Sequence, residues 1–224
     1  TMEAKAAAAE KAVEYIENGM TVGLGSGSTS YYAIRKIGER VSQGLRIRAV
    51  ASSTQTASLA RECRIRLTDL TAIDRIDITI DGADEVDKQL NLIKGGGGAL
   101  LREKILAYNS RQTIIIVDDS KLVDILGKFP LPVEVAPFAV DLTLAQLKRF
   151  KIDLNIREVQ KEKFITDNGN LIVDCHFSAI RDPEELNMKL LLIPGIIETG
   201  LFPHTPFTRV IVGYADGATQ ILGA

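Results

Sequence analysis

Short apolar segments alternate with helix-patterned segments along the first half of the chain, and this alternation restricts the possible folds more than any other feature. Strands are predicted over the apolar runs 21–25, 46–51, 76–80 and 113–117, with a shorter one over 64–67. Apolar residues at helical spacing predict helices over 4–18, 55–62 and 99–109, and through Ile34, Ile37 and Val41. Parallel strands need long crossovers, usually helices, so the order predicts a mostly parallel sheet covered by helices on both faces.

The pattern changes at Pro130 and Pro132, which interrupt any regular element, and we place a domain boundary there. Beyond it, strands are predicted over 133–136, 153–158, 171–175 and 196–201. An Asn168-Gly169 hairpin turn precedes the third of these, and Asp182 and Pro183 open a helix before the fourth. With a helix before the second strand, the order is close to the βαββαβ plan of ferredoxin-like domains.

The expected fold class is therefore α/β, with a mostly parallel Rossmann-like sheet and a second, smaller α+β ferredoxin-like domain. The last two predicted strands, 209–214 and 219–222, could return to the first domain or extend the second. We assign them to the first, which gives a catalytic domain of residues 1–130 plus 205–224 and a small domain of residues 131–204.

Composition argues against several classes of partner. The 224 residues carry 27 Lys plus Arg against 29 Asp plus Glu, and 46% of them are hydrophobic. A near-neutral chain without runs of like charge offers little attraction to nucleic acid or to an anionic membrane. Its apolar runs are far shorter than the ~20 residues of a membrane span, and its charged first helix does not resemble a signal peptide, so we expect a cytoplasmic protein. Cys63 and Cys175 lack metal-ligand spacing and are expected to be buried, reduced thiols.

The segment Gly25-Ser26-Gly27-Ser28-Thr29 follows the first predicted strand and leads into a helix. Ligands of parallel α/β sheets gather at the carboxyl ends of the strands. Glycines, hydroxyls and a helix N-terminus together suit a phosphate group. The segment is neither a P-loop, since no Lys follows the glycines, nor a complete dinucleotide fingerprint. The alternative interpretation is a tight turn that caps a helix.

Two further segments follow the same logic. Asp81-Gly82-Ala83-Asp84 comes after the strand at 76–80, and its carboxylates suit proton transfer or the binding of sugar hydroxyls. Lys94-Gly95-Gly96-Gly97-Gly98 precedes the helix at 99–109, and successive glycines suit a backbone that approaches a ligand closely. The alternatives are a solvated acidic turn and a flexible linker.

Glu103 and Lys121 are the remaining candidates. Glu103 shares a helix face with small and apolar residues, so its carboxylate is expected to be partly buried, as suits a general base. The alternative is that Arg102-Glu103-Lys104 is a solvated run of charges. Lys121 follows the strand at 113–117, where it could instead be an ordinary surface residue.

In this order, the motifs resemble those of the A-type ribose-5-phosphate isomerase family, and the resemblance covers nearly the whole chain. The matching segments are 25–29, 81–84, 94–97, Arg102-Glu103-Lys104, and Asp119-Ser120-Lys121 running on to 126–134. Two departures are small: Ser26 stands where the family often has Thr, and Leu101 where a Thr often precedes Arg-Glu-Lys.

The resemblance implies interconversion of ribose 5-phosphate and ribulose 5-phosphate through a cis-enediolate, in the non-oxidative pentose phosphate pathway, with no metal or other cofactor. It implies that Glu103 is the proton acceptor. From the chemistry of the reaction, we assign Asp81 to proton transfer during ring opening. The implied substrate contacts are Ser26 to Thr29, Asp81 to Asp84, Lys94 to Gly97 and Lys121, with Lys5 near the phosphate. The implied partners are the phosphosugar and further copies of the chain, in a homodimer or higher homo-oligomer.

Two other functions remain open from the residues alone. A non-catalytic sugar-phosphate sensor could use the same scaffold, but it would not need Glu103 or Asp81 as proton carriers. A nicotinamide-dependent dehydrogenase is disfavoured because the third glycine of the fingerprint is missing.

Overall fold

The computed structural model describes residues 1–223, which divide into two compact units. The first unit comprises Thr1–Ala83, Arg102–Lys121 and the segment from Thr205 onward. The second unit comprises Asp84–Leu101 and Leu122–His204.

The described residues form fifteen strands and six α-helices. The strands are β1 (Thr21–Leu24), β2 (Arg48–Ala51), β3 (Ile76–Gly82), β4 (Glu85–Val86), β5 (Leu92–Ile93), β6 (Ser110–Asp118), β7 (Leu131–Val135), β8 (Asp153–Ile156), β9 (Glu158–Val159), β10 (Glu162–Lys163), β11 (Leu171–His176), β12 (Ile196–Thr199), β13 (Leu201–Phe202), β14 (Thr208–Gly213) and β15 (Thr219–Leu222). The helices are α1 (Met2–Val13), α2 (Ser28–Ser42), α3 (Thr54–Glu62), α4 (Leu100–Tyr108), α5 (Val140–Leu147) and α6 (Pro183–Leu191). Three short 3₁₀ helices lie at Leu70–Ala72, Asp119–Lys121 and Lys148–Phe150.

The first unit is built on a six-stranded sheet in the order β15-β14-β6-β3-β1-β2. All neighbouring pairs are parallel except β14 with β15. The continuous apolar run in β6 fits this central position, because a strand covered on both faces must be apolar throughout. The mostly parallel sheet predicted from the sequence is confirmed. Its parallel strands bring the carboxyl ends of β1, β2, β3 and β6 to one edge.

Helix α1 packs closely on this sheet through small side chains. Ala4, Ala8 and Ala12 are fully buried, and a Cβ atom at Gly213 of β14 would lie 1.9 Å from the carbonyl oxygen of Ala4. A glycine is therefore required where the strand passes under the helix. The main core of this unit consists of aliphatic residues from β1, β3 and β6 and from the helices, among them Ile34, Ile37, Ile78, Ile80, Ile114 and Ile116.

The second unit contains a four-stranded antiparallel sheet in the order β12-β7-β11-β8. Read in chain order, its elements are β7, α5, β8, β11, α6 and β12, which is the ferredoxin-like arrangement. Asp182 caps α6 by accepting a hydrogen bond from the Glu185 amide, with Pro183 at the first helical position, as predicted. The small strands β4, β5 and β13 form a separate three-stranded sheet in the same unit.

Several predicted boundaries were wrong. The strand expected over 64–67 reduces to one bridge between Leu67 and Ala49, because Arg64 adopts a left-handed backbone at φ 58°. The first helix ends at Val13 rather than at residue 18, since the following amides of Tyr15 and Ile16 bond to carbonyls three residues back. Strand β3 continues past residue 80 because its pairing with β6 extends to Gly82.

The last two strands return to the first unit, where β14 lies between β6 and β15. The compact units differ from the predicted domains in that Asp84–Leu101 and the residues from Leu122 to 130 belong to the second unit. The domain boundaries at 130 and 204 stay a prediction. Among the described residues, no helix is both long and apolar enough to span a bilayer.

Candidate active site

The glycine-serine turn after β1 has the geometry of an anion-binding site. Strand β1 ends at Leu24, and α2 begins at Ser28 after a Gly27 in a left-handed conformation, φ +96°. The first amides of a 15-residue helix are thus presented next to the exposed Ser28 hydroxyl. The ammonium of Lys5 lies on the same side, where its Nζ donates to Ser28 Oγ at 2.9 Å. The segment predicted to bind phosphate therefore carries amide donors, a hydroxyl and a positive charge.

Asp81 fixes the position of this turn from the neighbouring strand. Its side chain is 2% exposed, and its Oδ1 accepts hydrogen bonds from the amides of Ser26 at 3.1 Å and Gly82 at 2.7 Å. The buried hydroxyl of Ser30 donates to the same oxygen at 3.3 Å. A Cβ atom at Gly25 would lie 2.0 Å from this oxygen, so only glycine allows β1 and Asp81 to approach each other so closely.

A cluster of hydroxyl groups, which the sequence analysis missed, supports the turn from the other side. Ser26 Oγ lies 2.8 Å from Ser52 Oγ, 2.9 Å from Ser53 Oγ and 3.0 Å from Thr56 Oγ1. Thr56 also donates to the Gly25 carbonyl at 2.9 Å. The available signal was the Ser52-Ser53 pair directly after β2, because β2 is the parallel neighbour of β1.

A cleft of about 630 Å³ opens beside this turn, within the first unit. Its lining includes Lys5, Gly27, Ser28, Tyr31, Gln55 and Thr56. The volume is ample for a phosphorylated sugar, because small-molecule sites are usually clefts of ~300–1,000 Å³.

Glu103 and Lys121 lie on two other elements of the first unit. Glu103 is in the first turn of α4 and is only 5% exposed, on a helix whose Leu100 and Leu106 are also buried. The burial expected for its carboxylate is present. Lys121 is half-buried at the end of the 3₁₀ helix that follows β6.

Asp118, at the end of β6, has a perturbed carboxyl group next to Lys121. Burial raises the pKa of Asp118, but hydrogen bonds from the Ser120 hydroxyl and amide and the charge of Lys121 outweigh that effect. The pKa of Asp118 is therefore lowered from its ordinary value, and its negative charge is held beside Lys121.

The second unit brings together Asp84 and the glycine segment. The Gly96 amide donates to Asp84 Oδ2 at 2.8 Å, and a Cβ at Gly96 would lie 2.6 Å from Asp84 Oδ1. Lys94 is 3% exposed, and its Nζ lies 5.4 Å from the centroid of the Phe202 ring. Of the other predicted residues, Ala83 and Gly82 are half-buried at the end of β3, whereas Gly97 is exposed.

This set of groups is typical of one class of protein. A parallel sheet with an anion-suited turn and buried carboxylates is characteristic of enzymes that bind phosphorylated metabolites and transfer protons on them.

Comparison with known proteins gives the family. Residues 48–217 match the family model described as ribose 5-phosphate isomerase A (phosphoriboisomerase A). Ribose-5-phosphate isomerase A 1 of Oceanobacillus iheyensis is 50% identical over 213 residues, which cover 95% of each chain. The chain belongs to the ribose 5-phosphate isomerase A family.

Solved structures agree. The ribose 5-phosphate isomerase of Plasmodium falciparum superposes with a TM-score of 0.95 at 37% identity, covering 100% of this chain and 99% of that one. A D-ribose-5-phosphate isomerase in complex with phospho-erythronic acid has a TM-score of 0.93 at 42% identity, covering 98% and 97% of the two chains.

Proposed function

We propose that this chain interconverts D-ribose 5-phosphate and D-ribulose 5-phosphate by proton transfer between neighbouring carbons. The observation that carries the proposal is the burial of Glu103, 5% exposed in the first turn of α4, in a member of this isomerase family. A buried carboxylate is a suitable base for a proton next to a carbonyl group.

The reaction needs no net redox partner. A base removes the proton from C2 of the open-chain aldose, the electron pair of that bond forms a C1–C2 double bond, and the carbonyl oxygen becomes an enediolate oxygen. The same base returns the proton to C1, while the proton of the C2 hydroxyl moves to O1, which leaves the ketone at C2. We assign the base to Glu103 and the proton transfer of ring opening to Asp81.

The developing negative oxygen requires donors that are already in place. We assign this role to Lys94 and to the glycine amides that follow it, apart from that of Gly96, which donates to Asp84. Asp84 would bind a sugar hydroxyl, and Lys121 would contact the substrate directly.

The phosphate group would anchor the far end of the substrate. We assign it to Ser26, Gly27, Ser28 and Thr29 with Lys5, so that binding energy at this end orients the reacting carbons. The relative that binds phospho-erythronic acid supports this arrangement, since that ligand has a phosphate at one end and a carboxylate at the other.

The direct test is a coupled or spectroscopic assay of purified protein with ribose 5-phosphate, with free ribose as a second substrate. Glu103→Gln keeps the side-chain shape and removes the base, so turnover should fall at least about 100-fold with little change in KM. Exchange of the substrate C2 proton with deuterated solvent should fall in parallel. Glu17→Gln, at an exposed glutamate, is the matched control and should leave turnover unchanged.

Either of two results would contradict the proposal. One is an inactive wild-type protein, which would favour a sugar-phosphate sensor. The other is a Glu103→Gln variant that keeps more than about a tenth of the turnover, a loss below ~1.4 kcal/mol of barrier, which would move the role of base to Asp81.

Three further expectations stay proposals: a homodimer or higher homo-oligomer, a cytoplasmic location, and a role in the non-oxidative pentose phosphate pathway. Light scattering on the purified protein tests the first of these. The other two require experiments in the source cell.

A further inference from the structure

The glycine turn of the second unit is contacted by an arginine that comes from a distant part of the chain. Arg157 Nη1 donates to the carbonyl oxygens of Gly95, at 2.9 Å, and Gly96, at 3.0 Å. The rest of the guanidinium binds Asp174 in a two-point ion pair, with Nε to Oδ2 at 2.9 Å and Nη2 to Oδ1 at 2.5 Å. The pair is largely buried, with side chains 13% and 16% exposed.

A phenyl ring completes the support. The guanidinium carbon of Arg157 lies 6.0 Å from the centroid of the Phe164 ring. The same ring would be 2.4 Å from a Cβ at Gly98, so it lies directly against the turn. Asp174 and Phe164 therefore restrain the guanidinium independently of its contacts with the glycines.

Holding two successive carbonyl groups also sets the direction of two amides. In a planar trans peptide, the N–H of the following residue points away from the carbonyl oxygen. The Gly96 N–H accordingly donates to Asp84, on the side opposite Arg157. By the same geometry the Gly97 N–H is directed away from the guanidinium, to the side of the Asp84 carboxylate.

The restraint matters because glycine has little conformational preference of its own. Gly95 is in a left-handed conformation at φ +101°, and its carbonyl also accepts a hydrogen bond from the Gly98 amide at 2.9 Å. The glycines through Gly98 have no side chains that could fix the Gly96–Gly97 peptide. A peptide unit flanked by glycines can rotate at low cost, which would turn a donor N–H into an acceptor C=O.

We propose that Arg157 is a positioning residue, which aligns the amides of Gly96 and Gly97 so that Gly97 N–H stabilises the negative oxygen of the enediolate. This inference rests on the proposed isomerase function and adds a residue outside the motifs of the active site. A buried ion pair is by itself weak evidence for stability, whereas bonds to two consecutive glycine carbonyls define a direction.

The first test compares Arg157→Lys with the wild type. Lysine keeps a positive charge opposite Asp174, but its single ammonium cannot bind Asp174 in two places and also hold both carbonyls. Removing an oxyanion donor costs about 10²–10³ in kcat, so misaligning one should lower kcat at least about tenfold, with KM changed less than about threefold. Lys88→Met removes an exposed ion pair of 2.8 Å to Asp124 in the same unit and should leave both constants unchanged.

Inhibitor binding separates alignment from a general structural role. Phospho-erythronic acid carries a charged carboxylate, so its inhibition constant should rise at least about fivefold in Arg157→Lys. The inhibition constant of inorganic phosphate, which reports only the anion site, should change less than twofold, because the glycine turn is not among the groups assigned to phosphate. A purely structural role would move both constants together or neither.

A second variant removes the donor itself. Gly97→Pro lacks the N–H, whereas Gly97→Ala keeps it, and a Cβ at Gly97 would have no atom within 4 Å. We expect the kcat of Gly97→Pro to be at least about tenfold lower than that of Gly97→Ala. When Arg157→Lys is added to Gly97→Pro, kcat should fall by less than about threefold further. The inference is overturned if a folded Arg157→Lys keeps kcat within about threefold of an active wild type, or if the two losses simply multiply. A wild type without isomerase activity would instead overturn the proposed function.

Discussion

Gly25→Ala is the substitution whose consequence the structure defines most closely. Gly25 has no left-handed strain, so the change acts only through contact with Asp81. The new Cβ would lie 2.0 Å from Asp81 Oδ1, 2.2 Å from its Cγ and 2.6 Å from its Cα. Because the Cα is close as well, rotation of the Asp81 side chain cannot relieve the contact. The carboxylate oxygen must move about 1.4 Å to reach the 3.4 Å of an ordinary contact.

That displacement would break the hydrogen bond that joins Asp81 to the Ser26 amide, and with it the geometry of the anion-binding turn. A misplacement of about 1 Å can cost about 10²-fold in rate, so we expect kcat/KM for ribose 5-phosphate to fall at least about 100-fold. Overpacking of this kind costs about 1–3 kcal/mol of stability, so thermal unfolding should shift but remain cooperative.

The matched control is Gly44→Ala, which places a Cβ in open space at a left-handed residue, φ +109°. It should lower the unfolding temperature and leave kcat/KM intact, which separates strain in the backbone from damage to the site. A folded Gly25→Ala protein with more than about a third of the wild-type kcat/KM would refute the link between Asp81, the turn and catalysis.

Two further predictions concern titratable groups. Cys175 is buried as expected, and burial raises the pKa of its thiol to about 12. Cys63 is only half-buried, contrary to the expectation, and burial raises its pKa while the charge of Arg35 opposes that rise. A thiol reagent at pH 8 should therefore modify Cys63 first, and Cys175 only at the rate of unfolding. Equal labelling rates in the native protein would contradict this. The lowered pKa of Asp118 means that its carboxylate stabilises the fold above its unfolded value of about 3.9, and that this contribution is lost as the pH falls through the folded pKa. Ser120→Ala should thus lower the free energy of unfolding, measured with denaturant, by about 1–3 kcal/mol at pH 7 and by progressively less below pH 4. A difference from the wild type that stays constant over this pH range would contradict the prediction.

Local patterns in the sequence predicted most of the longer elements, and they supplied the motif residues that the proposed function uses. The continuous apolar run of β6 and the Asp182-Pro183 start of α6 are decided by a few adjacent residues. The 64–67 strand was wrong for the complementary reason: its apolar and polar residues alternate suitably, but only Leu67 finds a partner strand. Pairing with β2 depends on the path of the backbone, which is left-handed at Arg64, and local sequence patterns do not reveal that path.

The supports of the site could not be predicted in the same way. The hydroxyls of Ser52 and Ser53 lie within hydrogen-bond distance of Ser26 only because β1 and β2 are adjacent. Arg157 lies about sixty residues beyond the glycines whose carbonyls it contacts. An arginine in an edge segment looks the same in the sequence whether it faces solvent or a distant turn. The residues that we propose to contact the substrate fall into short motifs, whereas the residues that hold those motifs in place are dispersed.

The close contact of Gly213 with Ala4 has a consequence for the order in which the chain can fold during synthesis. Helix α1 is translated long before β14, the strand on which it packs. Every residue of the second unit, whose last segment ends at His204, is also translated before β14. The contact between α1 and β14 can therefore form only after β14 has left the ribosome, and until then the alanine face of α1 lacks the strand that covers it.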